Sequence, residues 1–298
     1  MWQELLQEIT KGNIKSIART ISLVENEYEG YYEFLQSLPA SNTPIIGITG
    51  PPGAGKSTLV DAIIEQLVHQ NKKVAVVCVD PSSPFNLGAL LGDRIRMSDW
   101  YNHPSVFIRS LATRGSLGGL HPKIIEITDV LKAATFDYII VETVGVGQSE
   151  IEIAGLADIT AVVLVPEAGD EIQTMKAGLM EIADMFIVNK SDRPDADVFV
   201  NNLKKMLAPS FQKQKEIPIF KTIATTKTGL EDVVKFFEES VQQKATNEKK
   251  PWLLTEKAFH LIQQFKMKAI DKASLKSEIE KLNTTNSFNL YQYIKKYL

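Results

Sequence analysis

The sequence predicts an α/β protein: a doubly wound, mostly parallel sheet with helices on both faces and helical extensions at its N- and C-terminal ends. Three observations carry this. From residue 44 onward, short apolar runs alternate with segments of helical periodicity, the pattern of a parallel sheet built from crossover units. A glycine-rich stretch, "GPPGAGKST" at 50–58, joins the first of those runs to a helical segment. Before residue 41 and after residue 241 the apolar period is helical alone.

Taken in order, "WQELLQEI" and "IKSIARTISLVEN" place apolar residues at helical spacing, with Gly12-Asn13 between them and Pro39 as a stop. These define an N-terminal helical extension over 1–40. Strands are expected at "IIGIT", "KVAVVCV", "DYIIV", "TAVVLV", "MFIVN" and "IPIFKTI", within an α/β domain over 41–241. The polar, charged stretch "QQKATNEKKP" (242–251) reads as a linker ending on Pro251. After it, "TEKAFHLIQQFKMKAI" and "KSEIEKL" resume helical spacing, so 242–298 is a linker and a C-terminal helical extension.

Composition narrows the function. The 298 residues are 44% hydrophobic, enough for a large core, and the net charge of −3 gives no basic footprint for nucleic acid. An anionic ligand must then be held by local geometry. The first residues are charged within four positions and have no signal-peptide core, and no apolar run approaches the roughly 18–20 residues that span a bilayer. Cys78, the one cysteine, lies in "VAVVCVD" and reads as a small core residue, so a reducing, cytoplasmic setting is expected. His69, His103, His121 and His260 are scattered without ligand spacing and read as structural or surface residues.

The stretch at 50–58 fits G-x-x-x-x-G-K-[ST] between a strand and a helix, the context in which that motif cradles phosphates. Residues 41–241 are thereby expected to be a P-loop NTPase domain. Gly50, Pro51, Pro52, Gly53, Ala54, Gly55, Lys56, Ser57 and Thr58 are the expected phosphate-binding residues. Lys56 would reach the β- and γ-phosphates and the Ser57 hydroxyl would ligate Mg²⁺. "FIVNKSD" then supplies Asn189, Lys190 and Asp192 directly after a strand. An aspartate there accepts from N1–H and the 2-amino group of guanine, whereas adenine would leave it unpaired. In "TIATTKTGL" the Ala224 backbone N–H is expected to face the guanine ring oxygen, with Ile223 where such loops usually carry serine. GTP is the expected ligand.

"ETVGVGQSE" (142–150) ends an apolar strand on a carboxylate. Glu142 is expected to hold the Mg²⁺ shell and Gly145 to let backbone N–H approach the γ-phosphate, with Gln148 and Ser149 on a segment that responds to that phosphate. A solvated charge at a strand end is the plainer alternative for Glu142. Asp80, opening "DPSSP", and Asp93, in "LLGDRIRM", are further metal candidates; a turn cap and a solvated helix charge are their alternatives. Mg²⁺ takes one or two carboxylates directly, so Ser57, Asp80, Asp93 and Glu142 cannot all ligate in one state. Asp170 and Lys176, in "PEAGDEIQTMK", complete the expected catalytic set with Lys56 and Glu142, although Asp170 reads almost equally well as a helix cap. Arg94, Arg96, Arg109 and Arg114 are denser than average, the last two within the glycine-rich "FIRSLATRGSLGGL", which is expected to be mobile and could meet a partner or an anion, or pair with nearby acids.

The wording and order of "TPIIGITGPPGAGKSTLVDAI", "VDPSSPFNLGALLGDRIRM", "ATRGSLGGL", "ETVGVGQSEIEIAGLAD" and "GDEIQTMKAGLMEIADMFIVNKSD" closely resemble the methylmalonyl-CoA mutase-associated GTPases. These are SIMIBI-class P-loop proteins, some of them named for arginine and ornithine transport. The resemblance covers about residues 2–235. It implies a GTPase chaperone of a B12-dependent acyl-CoA mutase that gates adenosylcobalamin loading, protection or reactivation, with the cofactor handled through the mutase. It implies a homodimer formed through the C-terminal helices. It also matches Asp80, Asp93, Glu142 and Asp170 to metal-linked acids and Lys176 to a switch-loop lysine. Glu167 departs from the pattern, which has a small residue there. The alternatives are an ATPase or kinase coupled to basic amino-acid transport, against which "NKSD" argues, and a nickel metallochaperone GTPase, against which the single cysteine and dispersed histidines argue.

Overall fold

In a computed structural model the described residues are 1–80, 97–113, 120–145, 151–168, 178–207, 217–243, 250–267, 270–283 and 288–297. They form two compact units, Met1–Lys250 and Pro251–Leu298. The first is organised around a seven-stranded sheet: β1 (Ile45–Thr49), β2 (Val74–Asp80), β3 (Val106–Ala112), β4 (Tyr138–Glu142), β5 (Ile159–Leu164), β6 (Met185–Val188) and β7 (Ile219–Lys221). Their order is β3-β2-β4-β1-β5-β6-β7 and the neighbours pair in parallel. The α/β, doubly wound expectation holds.

β1, β2, β4, β5 and β6 are buried along their whole length, which is why their apolar runs do not alternate. Over one face lie α4 (Lys56–His69) and α9 (Leu230–Gln242). Leu59, Ile63 and Leu67 of α4 share a core with Val233 and Phe237 of α9 and with Ile46, Ile48, Val76 and Ile140 of the sheet. Cys78 lies buried in this core and forms no disulfide. A second core joins Val162, Leu164, Phe186 and Val188 to Phe199 and Leu203 of α8 (Ala196–Leu207).

α1 (Trp2–Thr10), α2 (Ile14–Glu25) and α3 (Tyr31–Gln36) belong to the same unit and pack on one another and on α5 (Ile124–Lys132). Asn13 caps α2 by accepting from the Ser16 amide at 3.1 Å, and Trp2 stacks on Phe34 with ring centroids 4.7 Å apart.

β3 corrects the sequence reading. Part of "FIRSLATRGSLGGL", expected to be mobile, is the outermost strand. Arg109 and Ser110 interrupt its apolar run, and the centre of an edge strand tolerates them because it is only partly buried. Arg109 Nη2 donates to Glu25 Oε2 at 2.9 Å and to Ser22 Oγ at 3.1 Å, so this arginine pairs with an acid of α2. Arg94, Arg96 and Arg114 lie outside the described residues.

The second unit holds α10 (Lys250–Lys266), α11 (Lys272–Asn283) and α12 (Leu290–Ile294). Pro251 stands in the first turn of α10, where its missing N–H costs nothing, instead of ending the linker. Tyr293 OH donates to Glu278 Oε2 at 2.9 Å, which ties α12 to α11. Trp252, Phe259, Ile262 and Phe265 of α10 are all more than half exposed. No described helix is long and apolar enough to cross a membrane.

The placement of β1 depends on one glycine. A Cβ on Gly47 would stand 2.6 Å from Ile153 Cγ1 and 3.0 Å from the Ala157 Cβ, where α6 (Ile151–Leu156) approaches the strand. Gly47→Ala is expected to cost about 1–3 kcal/mol by overpacking. Urea unfolding should show a lower midpoint at an unchanged slope; an unchanged midpoint would mean that α6 does not press on β1.

Candidate functional site

The winding of the chain reverses at β1, which has β4 on one side and β5 on the other, and crevices at such reversals lie beyond the carboxyl ends of the strands. Register brings the candidate residues there. Ile48 pairs with Glu142 and Cys78 with Glu142, so β1, β4 and β2 deliver Gly50, Glu142 and Asp80 to the same edge. Thr49 and Thr143, directly after the paired positions, join their hydroxyls at 2.8 Å in a buried contact that the sequence reading did not include.

After β1 the chain turns through Gly50, Pro51, Pro52, Gly53, Ala54 and Gly55 into α4, with Gly55 as a left-handed N-cap at φ 85°. Lys56, Ser57 and Thr58 form the first turn, where backbone N–H groups and the helix dipole favour an anion. Lys56 is buried, and its ammonium donates to the carbonyls of Gly50 at 2.9 Å and Pro51 at 3.2 Å. It therefore lies against the loop whose phosphates it was expected to meet.

Ser57 Oγ donates to Glu142 Oε1 at 2.7 Å. Glu142 is 3% exposed, which rules out a solvated strand-end charge. Asp80 is 6% exposed, and its carbonyl accepts from the Thr113 amide at 3.0 Å. A hydroxyl and two buried carboxylates form an all-oxygen donor set suited to a hard cation such as Mg²⁺. Among the described residues there is no group of three or more His, Cys, Asp or Glu that could hold a metal by itself. Gly145 follows at φ 84°, and a Cβ there would collide with the Gly50 carbonyl and the Lys56 ammonium. Only glycine lets this backbone pass so close to the loop.

On the other side of β1, β6 delivers Asn189, which is buried and linked three ways. Its Nδ2 donates to the Ala54 carbonyl at 3.0 Å, and its Oδ1 accepts from Thr222 Oγ1 at 3.2 Å and from the Ala224 amide at 3.1 Å. The Ala224 N–H, expected to face a guanine oxygen, is thus directed at Asn189. Lys190, left-handed at φ 55°, reaches back to donate to the Gly53 carbonyl at 2.8 Å. The Lys190 carbonyl accepts from the Arg193 amide at 3.1 Å, closing a turn that carries the exposed Asp192. Thr222, the first residue of "TIATTKTGL", has no role assigned from the sequence alone, although its place beside "IATT" is the available signal. Asp93, Gln148, Ser149, Asp170 and Lys176 lie outside the described residues. His121 is buried, with Nδ1 accepting from the Lys123 amide at 3.0 Å, a structural role as expected.

Asn189→Ala removes all three links and leaves the Ala54 carbonyl and Ala224 amide without that partner. At about 0.5–1.5 kcal/mol per hydrogen bond the three links should total about 1.5–4.5 kcal/mol. Denaturant unfolding should show it, and amide exchange at Ala224 should accelerate; exchange at the wild-type rate would contradict the hub assigned to Asn189.

Comparison with known proteins agrees with this geometry. A provisionally named GTPase of Pyrococcus abyssi is 46% identical over 239 residues, covering 78% of this chain and 74% of that one. The fused isobutyryl-CoA mutase of Geobacillus kaustophilus is 35% identical over 237 residues, covering 74% of this chain but 22% of that larger protein. The crystal structure of an LAO/AO transport system kinase superposes with a TM-score of 0.68 over 99% of this chain and 95% of that one, at 23% identity, a likeness of fold. The family model described as Methylmalonyl Co-A mutase-associated GTPase MeaB matches residues 17–277. With that match over most of its length, the chain belongs to the methylmalonyl-CoA mutase-associated GTPases.

Proposed function

We propose that this GTPase is a chaperone of a B12-dependent acyl-CoA mutase, coupling GTP binding and hydrolysis to adenosylcobalamin loading, protection or reactivation. The observation that carries the nucleotide side is the convergence of the phosphate loop, Glu142 and the Asn189–Asp192 turn around β1. The mutase side is supported by the family and by the relative whose name joins a related segment to isobutyryl-CoA mutase. Adenosylcobalamin is handled through the mutase in this reading.

Each residue has a proposed task. Gly50, Pro51, Pro52, Gly53, Ala54, Gly55 and Thr58 wrap the phosphates. Lys56 exchanges its loop carbonyls for phosphate oxygens, and Gly145 brings its N–H toward the γ-phosphate. Asp192 reads N1–H and the 2-amino group of guanine, with Asn189, Lys190 and Ala224 holding the walls around the base. Ser57, Glu142 and Asp80 would hold Mg²⁺, with Asp93 as a further metal-linked acid. When bound, the ion neutralises charge on the phosphate oxygens. Asp170 and Lys176 are proposed as catalytic-loop residues. In this reading 1–40 and 242–298 are helical extensions of the GTPase domain over 41–241, and the C-terminal helices form a homodimer. The exposed apolar residues of α10, among them Trp252 and Phe259, support that pairing. A cytoplasmic location fits the reduced Cys78. Basic amino-acid transport and nickel delivery are left with a likeness of fold as their support.

GTP should be preferred over ATP by about 10⁴-fold, because Asp192 has no partner on adenine. Lys56→Ala should abolish tight binding of GTP. Equal affinities for ATP and GTP in a calorimetric titration would remove the base assignment.

The chaperone reading has a separate test. GTP turnover by the full chain should be slow alone and accelerate when a B12-dependent acyl-CoA mutase from the same source is added. A rate indifferent to the mutase would overturn the chaperone role and leave the GTP site untouched.

A further inference from the structure

One ion pair joins two loops on the base side of the site. Arg193 Nη1 donates to Glu167 Oε1. Glu167 lies on the single turn Pro166–Ala168 that leaves β5, and Arg193 closes the turn that begins at Lys190. Asp192 lies within that turn, directly before Arg193. The start of this turn is fixed by the sheet: the Asn189 amide donates to the Leu164 carbonyl at 2.8 Å and the Ser191 amide to the Thr222 carbonyl at 3.0 Å. Among the described residues neither the Asp192 nor the Arg193 amide donates to a strand carbonyl. Among the described residues no side chain hydrogen bonds to the Asp192 carboxylate, and the residue is exposed.

The two partners are suited to hold the far end. The Arg193 hydrogen bond draws the Glu167 carboxyl below its ordinary range, so Glu167 is ionised at neutral pH. The charge of Lys190, at the start of the turn, lowers the same carboxyl further and more weakly. Side chains of Arg193 and Glu167 are 45% and 50% exposed, so the pair is screened by salt and modest in strength. Such a pair contributes little to folding, yet it acts on the residue adjacent to Asp192.

We propose that Glu167 and Arg193 are positioning residues for guanine selection, clamping the 190–193 turn against the exit of β5 so that the Asp192 carboxylate meets the base in one place. This rests on the reading of Asp192 as the guanine reader.

The test compares GTP with ITP, which keeps N1–H and lacks the 2-amino group, using calorimetry on the full chain. Glu167→Gln should lower the preference for GTP over ITP by about 1.5- to 5-fold, and Arg193→Glu by at least as much. The double exchange Glu167→Arg with Arg193→Glu should restore it, which a merely structural loss would not do. In the wild type the preference should shrink as salt rises toward about 1 M, where screening is nearly complete, while that of Glu167→Gln should stay flat. Single variants with the wild-type ratio, or an exchange that restores nothing, would overturn the clamp. A wild type that does not separate GTP from ATP would remove the base reading itself, and the clamp with it.

Discussion

The hydrogen bond from the Ser57 hydroxyl to Glu142 Oε1 spans 85 residues of chain and joins two buried groups at 2.7 Å. It exists because β1 and β4 are neighbours with Ile48 opposite Glu142. A slip of one residue would turn Glu142 to the other face of the sheet and carry it away from the phosphate loop. The apolar runs of β1 and β4, buried on both faces, oppose such a slip, so the core sets the position of a carboxylate that by itself would favour water. Gly145 and the Thr49–Thr143 contact then hold the continuing chain against the loop.

On the other side of β1 the constraint is a side chain instead of a register. Asn189 has one acceptor and one donor group, and both are used to bind the phosphate loop and the 222–224 segment to the chain directly after β6. A buried amide left unpaired would be costly, so these three loops are held as one wall. The proposed base reader, Asp192, lies just outside that wall, where the chain has come off the sheet. There the proposed clamp is the exposed ion pair of Arg193 with Glu167.

The centre of the fold was legible in the sequence because its signals are local. "IIGIT" followed by "GPPGAGKST" specifies a strand, a loop and a helix start, and "FIVNKSD" specifies another strand and its turn. β3 was not legible: its middle residues are polar, and they are stable there through Arg109 and Glu25, a partner 84 residues away. Thr222, Thr143 and Arg193 escaped notice for the same reason, since their roles depend on which strand ends are adjacent. Pro251 misled because a proline reads alike at the end of a linker and in the first turn of a helix. The mutase was not written in periodicity or spacing at all; it entered through the family to which the motifs belong.

The central claim is that Glu142, held by Ser57, serves a cation beside the phosphates. The direct measurement is a calorimetric titration of the full chain with GDP, with Mg²⁺ and with Mg²⁺ removed by a chelator, on the wild type and on Glu142→Gln. Mg²⁺ should strengthen GDP binding to the wild type, and the substitution should cut that gain by about 10- to 100-fold while leaving the metal-independent affinity within about twofold. An equal Mg²⁺ gain in both proteins would contradict the account.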